Sequence, residues 1–531
     1  MRPGRVARPA PRWAANGPVT ALLAALLVVP GAPARAAPDI LPAYSEHCAS
    51  CHGDGRLGGV GPALLPENLT RLRRKEALEV ITRGRIATQM PPFVDKLTPE
   101  QVAQLVELIY TPLAQTPTWG LAEIRASHVV DAAAMALPDR PQFAADPLNL
   151  FIVVELGDHH ATLLDGDRME PIHRFKTRFA LHGGPKYSPD GRFVYFASRD
   201  GWITKYDLYN LTVVAEIRAG INTRNLAIAG DGNSVMVANY LPHTLVALDA
   251  ADLAPLKVIP AVNARGESSR VSAVYAAPPR GSFVAALKDL PEVWEISYQD
   301  PPPQGFSGLV HDYRADSGEG NLQPRFPLRL LAVAEILDDF CFDQEYVYLI
   351  GAARDGGGQV VDLDLGRVTT RIDLPGLPHL GSGITWEYQG RRVLATPNLK
   401  EGVVSVIDME SWQTIRRIDT LGPGFFMRSH EQSPYAWVDV FFGPDRDAVH
   451  VIDKQTLQIV RTLRPAPGKT AAHVEFDRYG KYALVSVWDQ DGAVVVYDAL
   501  TLEEVKRLPM AKPSGKYNVH NKITRSDGTS H

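Results

Sequence analysis

Charge of one sign is scarce. Lysine and arginine number 55 and aspartate and glutamate 60 over 531 residues, a net charge of −5, and there is no long basic run, which removes the electrostatic footprint of a nucleic-acid partner. Long apolar runs are scarce too: the stretch Val19 to Val29 is too short to span a bilayer as a permanent helix. Cysteine is scarcest, with three residues. Cys48 and Cys51 lie within one five-residue motif, so Cys341 has no disulfide partner and reads as a buried apolar residue in a strand. Hydrophobic residues at 45% and charged residues at 22% are the proportions of a soluble globular protein, and the length suggests two to four domains. Partners must therefore be read from sites.

Residues 1–36 read as an export signal. Arg2, Arg5, Arg8 and Arg12 precede the apolar stretch, and Ala34-Arg35-Ala36 stands before Ala37, where the mature chain is expected to start. The run Cys48-Ala49-Ser50-Cys51-His52 is C-x-x-C-H, the peptide onto which a c-type haem is covalently attached. Two thiols one turn apart on a short helix add to the haem vinyls and leave His52 under the iron. Export and covalent haem attachment agree, because bacterial c-type cytochromes mature outside the cytoplasm; the expected location is the periplasm.

Residues 37–110 have the outline of a small all-α cytochrome c domain carrying one haem c. A first helix runs through Tyr44-Ser45-Glu46-His47 into the motif and a middle helix from Arg74 to Arg83. A last helix opens on the capping box Thr98-Pro99-Glu100-Gln101 and carries the stripe Val102, Leu105, Val106 and Ile109. Gln89-Met90-Pro91-Pro92-Phe93 stands where such a domain has its sixth ligand, and a thioether there favours ferrous iron and raises the potential. Met90 is the candidate. Residues 111–146, with Pro112, Pro117, Pro138 and Pro141, read as a linker packed along the next domain.

From residue 147 to 531 the pattern becomes short alternating strands and repeats. An acidic residue follows an apolar strand at Asp165, Asp207, Asp249, Glu295, Asp362, Asp408, Asp453 and Asp498, in steps of 42, 42, 46, 67, 46, 45 and 45. That period is a four-stranded propeller blade, and eight marks predict an all-β propeller of eight blades. The long step holds an insertion, with Pro301-Pro302-Pro303 and Ser317-Gly318-Glu319-Gly320 marking a surface excursion.

An exported cytochrome c domain fused to an eight-bladed propeller resembles the cytochrome cd1 nitrite reductase family, over nearly the whole mature chain. The likeness rests on Ala180-Leu181-His182 before Ser188-Pro189-Asp190-Gly191, on Ser198-Arg199-Asp200 and Thr223-Arg224-Asn225, on Leu377-Pro378-His379, and on Gly515-Lys516-Tyr517-Asn518-Val519. It implies haem d1 held non-covalently in the propeller mouth, with His182 or His379 on its iron and Arg199 and Arg224 on its carboxylates. One departure matters. Where the reductases have a Leu-His-Asp setting, this chain reads Leu337-Asp338-Asp339-Phe340. Nitrite reduction consumes two protons that a pair of near-neutral imidazoles supplies, and an aspartate repels the anion.

That departure, with Gly157-Asp158-His159-His160, Pro378-His379-Leu380-Gly381-Ser382-Gly383, Ala472-His473-Val474-Glu475-Phe476 and the tail Asn521 to Ser526, resembles the paralogues that build haem d1, and the cytochrome domain makes the NirN type the nearer match. The resemblance implies dihydro-haem d1 dehydrogenation, in which a ring propionate becomes an acrylate. His379, His473 and Tyr517 are then the catalytic candidates, with His473 leading as base or carboxylate holder, and haem c on His52 and Met90 is the electron sink. Implied partners are dihydro-haem d1, a periplasmic electron acceptor and, as candidates, cytochrome cd1 nitrite reductase and other haem d1 assembly proteins. No membrane span is expected after signal removal. The competing readings are a nitrite reductase and a haem d1 carrier that performs no chemistry.

Overall fold

The computed structural model describes residues 40–59, 61–69, 72–84, 90–115, 117–301, 303, 325–353 and 356–524. The export signal, Gln89 and the excursion Ser317-Gly318-Glu319-Gly320 lie outside them. Helices Leu41–His47, Ala49–His52, Arg74–Arg83 and Pro99–Ile109 make the N-terminal part. The last starts where its cap predicts: Gln101 N–H donates to Thr98 Oγ1 at 3.2 Å and Thr98 N–H to Gln101 Oε1 at 2.9 Å. Its stripe, Val102, Leu105, Val106 and Ile109, is buried against Tyr44, Ala77, Ile81, Phe93 and Leu97. Burial of each such large side chain is worth about 1.5–3 kcal/mol, which holds three short helices together that would not persist alone.

Eight antiparallel sheets follow, one per expected blade. Their innermost strands are Lys186–Tyr187, Asn222–Ile228, Val271–Ala277, Leu337–Phe342, Ile384–Tyr388, Met427–Ser429, Ala471–Phe476 and Pro513–Asn518. The ring closes by a strand from each end of the domain: Pro513–Asn518 pairs with Leu150–Glu155, Phe151 opposite Asn518 and Val153 opposite Lys516. Inner and middle strands of the blades are buried on both faces, and Cys341 is buried in one of them, as its reading required.

The repeated acidic residue has a mechanical cause. Asp207 ends the strand Trp202–Asp207 and its Oδ1 accepts the N–H groups of Tyr209 and Asn210; Asp165, Asp362, Asp408, Asp453 and Asp498 hold the same two positions beyond them. A residue at positive φ then turns the chain into the fourth strand, as at Leu211 (56°), Leu457 (56°) and Leu502 (63°). Glu295 departs from this. It lies inside the strand Glu292–Ser297, buried, and binds Arg280 at 2.7 Å and Arg329 at 2.6 Å. Its turn is capped by Ser297, whose Oγ accepts Gln299 N–H at 3.1 Å.

Residues between the helical part and the ring are more ordered than a proline-rich reading suggests. A helix, Leu121–Ala126, is followed by Val129–Val130, which adds an outer strand to the second blade. Trp119 Nε1–H donates to Arg218 O at 2.8 Å, and the Arg218 guanidinium lies 4.5 Å from the Trp119 ring centre. The same guanidinium donates to Leu57 O at 2.5 Å, six residues past Cys51. Ala63 and Leu65 pack on Ile221 and Leu241 beside it. Among the described residues no helix is long and apolar enough to cross a membrane.

Candidate functional site

The first centre is built on the helix Ala49–His52. Nδ1 of the buried His52 lies 2.8 Å from Pro62 O; donation to that carbonyl fixes the tautomer that leaves Nε2 as a lone pair. Burial lowers the His52 pKa, so the ring is neutral, as a metal ligand must be. The chain passes so near the ring that a Cβ on Gly61 would sit 2.7 Å from His52 Cε1, so only glycine fits. Cys48 and Cys51 are free thiols beside it and Met90 packs on the same core. Two thiols, one neutral imidazole with an oriented lone pair and a thioether are the donor set of a covalent haem, and they fit it.

The second centre lies where inner strands and their preceding loops meet at one end of the ring. His379 Nδ1 lies 2.5 Å from Phe425 O. A rank of rings continues from there: His379 to Phe425 at 4.3 Å between centres, Phe425 to Phe426 at 4.5 Å, Phe426 to His473 at 4.7 Å and His473 to Tyr517 at 4.9 Å. His379, His473 and Tyr517 are thereby brought together, although they stand on three different blades. His182 joins through its own loop, because Gly184 there has φ +68° and a Cβ on it would meet the Tyr517 ring at 2.9 Å.

Both arginines converge on His182. Arg199 Nη2 is 2.7 Å from His182 Nε2, and Arg224 Nη1 is 3.2 Å from Nδ1, which also lies 2.7 Å from Arg224 O. Any ligation through His182 Nε2 therefore requires Arg199 to turn aside. His159 packs 5.0 Å from Phe179, and His160 lies 3.1 Å from Asp158, so the pair belongs to the edge of the first blade.

Asp339 stands beside His379, with Oδ2 at 3.5 Å from Nε2; its other oxygen accepts the Tyr275 hydroxyl at 3.1 Å. Asp338 instead turns to Lys288 at 2.8 Å. Burial lowers the His379 pKa against the opposing pull of Asp339. Burial, aided by Lys516, holds His473 well below the ordinary histidine range, and burial pushes Tyr517 up to about 12. Burial and then Arg428 bring Lys186 down to about 8, and Lys516 and Lys522 fall well below the lysine range for the same leading cause.

Positive groups therefore outnumber the carboxylates Asp339, Asp439 and Glu475 in this mouth, and the lysines hold their charge only with difficulty. A polyanionic ring relieves that strain, so the residues fit a carboxylated tetrapyrrole. Lys186, Tyr275, Arg428 and Asp439 were missed by sequence reasoning. The available signal was a charge inside a short strand, as in Met427-Arg428-Ser429, whereas Asp439 ends its strand as the turn aspartates do and carries no separate signal.

A family model described as "Cytochrome D1 heme domain" matches residues 145–522. The chain belongs to the cytochrome D1 heme domain family. A second model, "Cytochrome C oxidase, cbb3-type, subunit III", matches residues 36–109 of this family member. Among curated relatives, dihydro-heme d1 dehydrogenase of Pseudomonas aeruginosa is 58% identical over 489 residues, which are 92% of this chain and 95% of the relative. Protein NirF of the same organism is 29% identical over 387 residues, 70% of this chain and 91% of the relative. A solved structure of dihydro-heme d1 dehydrogenase NirN in complex with DHE superposes with a TM-score of 0.85 at 57% identity, covering 91% of this cytochrome D1 chain and 99% of the other.

Proposed function

We propose that this chain is a dihydro-haem d1 dehydrogenase of haem d1 biosynthesis, working in the periplasm and delivering electrons to an acceptor protein there. The observation that carries the reading is the rank of rings from His379 to Tyr517, set among buried cations, in a chain that also bears a C-x-x-C-H centre.

Conversion of a ring propionate to an acrylate removes two electrons and two protons. Haem c, which Cys48, Cys51, His52 and Met90 would hold, would take the two electrons one at a time, each passed to the acceptor protein before the next, while one proton goes to His473 and the other to solvent. Burial holds His473 neutral; its Nδ1 accepts Lys516 N–H at 3.5 Å, and release of that long contact frees the lone pair for a proton from the propionate methylenes, while the other ring nitrogen, as N–H, can donate to the carboxylate. Tyr517, protonated at neutral pH, borders the same space as a donor. Arg199, on leaving His182, and Arg224 hold ring carboxylates in fork geometry, and His182 or His379 takes the iron of the substrate.

Asp338 and Asp339 count against nitrite reduction: Leu337-Asp338-Asp339 stands where the reductases have Leu-His-Asp, so the second proton-donating imidazole is missing, and a carboxylate lies 3.5 Å from His379 Nε2. A carrier would return dihydro-haem d1 unchanged. Incubation of the purified holoprotein with dihydro-haem d1 and an oxidant for haem c, followed by mass measurement of the extracted ring, separates the readings. The dehydrogenase returns a ring lighter by two hydrogen atoms; an unaltered mass overturns the proposal.

A further inference from the structure

We propose that Asp439 is a positioning residue that sets His379 and His473 relative to one another, a role that rests on the dehydrogenase reading above. Asp439 ends the strand Tyr435–Asp439, second from the axis in the seventh blade, and is 0% exposed. Its carboxylate reaches the site through backbone N–H groups. Oδ1 accepts the N–H groups of Phe425 at 2.7 Å and Phe426 at 3.0 Å, and Oδ2 accepts His473 N–H at 3.1 Å. Phe425 in turn offers its carbonyl to His379 Nδ1 at 2.5 Å. One carboxylate thus anchors the loop that orients one imidazole and the backbone that carries the other.

The need for this anchor arises from the backbone at His473. Its φ is +52°, and it sits at a register break between Ala472 and Val474, where the paired partners pass from Ser486 to Val485 without it. Such a bulge re-aims a side chain and leaves the bulged residue outside the ladder. Asp439 takes the N–H that the ladder does not. Phe425 and Phe426 likewise precede the short inner strand Met427–Ser429, whose pairing starts only at Met427.

An amide cannot replace this carboxylate. With its oxygen toward Phe425 and Phe426, asparagine presents an NH2 group to the His473 N–H; two donors on one side decide which way it turns. In Asp439→Asn, the His473 ring is therefore expected to move while His379 stays. In Asp439→Ala both move. The probe is the Cε1–H signal of 13C-labelled histidine in the ferrous holoprotein, with assignments from His379→Gln and His473→Gln. Asp453→Asn, at an outer turn of the same blade, is expected to shift neither ring. Unmoved His473 in Asp439→Asn, or unmoved rings in Asp439→Ala, overturns the proposal.

Function is read in parallel. Asp439→Asn is expected to bind dihydro-haem d1 within roughly threefold of the parent and to convert it roughly 10- to 100-fold more slowly, the signature of lost alignment rather than lost affinity. Equal conversion rates overturn the positioning role. A parent protein that converts nothing overturns the dehydrogenase reading instead, while the ring signals still decide the geometry. Should the variants not fold, amide exchange in the parent decides: protection of Phe425, Phe426 and His473 N–H equal to the blade ladders supports the anchor, and free exchange overturns it.

Discussion

At the scale of single residues, the mouth of the ring works by withholding water from groups that prefer it. His473→Ala removes the proposed base and is expected to slow conversion of dihydro-haem d1 by roughly 100-fold or more while leaving the haem c spectrum intact; unaltered conversion would remove His473 from the chemistry. Met90→Ala is expected to lose the sulfur-ligated spectrum and lower the haem c potential by a measurable part of the ~0.8 V span that axial ligands command, as read by redox titration. Lys186 offers a third test. Its pKa of about 8 reflects burial and the nearby Arg428, so an anionic ring should raise it and draw a fraction of a proton from solution at pH 8. Calorimetry in buffers of different ionisation enthalpy measures that uptake, and its absence would place the ring carboxylates elsewhere.

At the scale of elements, the blade turns explain the repeat and rank its members. The aspartates differ in what else they hold. Asp498 caps an open turn with two N–H bonds, so Asp498→Ala should lower stability by about 1–2 kcal/mol. Asp207 is fully buried and also binds Arg192 at 2.8 Å and Asn210 Nδ2 at 2.9 Å; its loss should cost about 3–5 kcal/mol, since Arg192 is left without its carboxylate. Urea unfolding of the two variants measures the contrast. A histidine in the seventh blade adds a pH dependence. Burial, then Arg464, depresses His450 to about 4. The unfolded chain takes up that proton first, so the stabilisation is whole above pH 6.5 and is lost as pH falls towards 4, by about 3 kcal/mol. Asp439, raised by burial to about 6, acts with the opposite sign, gaining stability as pH falls through 6. The difference between parent and His450→Gln isolates the histidine, and equal acid limbs would refute it.

At the scale of the whole molecule, the electron-accepting part and the ring are joined by more than a tether. Arg218 lies at the junction: it reaches Leu57 O near the haem peptide, stacks on Trp119 of the connecting segment and donates to Asp200 O at 2.8 Å, next to Arg199 of the mouth. Arg218→Ala should loosen the junction, visible as roughly tenfold faster proteolysis of the segment around residues 111–119, in line with a loss of about 1.4 kcal/mol in local opening. Unchanged cleavage would assign the junction to the apolar contacts of Ala63, Leu65, Ile221 and Leu241.

The sequence by itself determined what depends on neighbours along the chain. C-x-x-C-H, the Thr98 cap and the apolar stripe after it specify local geometry, and an acidic residue recurring in steps of 42 to 46, with one step of 67, specifies blades, because a turn needs its acceptor within three residues. Glu295 shows the boundary: it keeps the period yet serves an ion-pair cluster, since spacing does not reveal whether a carboxylate faces turn amides or arginines. The family likeness also put His182, His379, His473 and Tyr517 on one list. Only the tertiary structure decided that Arg199 and Arg224 close on His182, that a rank of phenylalanines links His379 to His473, and that Asp439 serves both. Those relations join residues tens to hundreds of positions apart, and they exist only once the ring has closed and excluded water, because burial is what makes each unpaired N–H, carboxylate or lysine demand a partner.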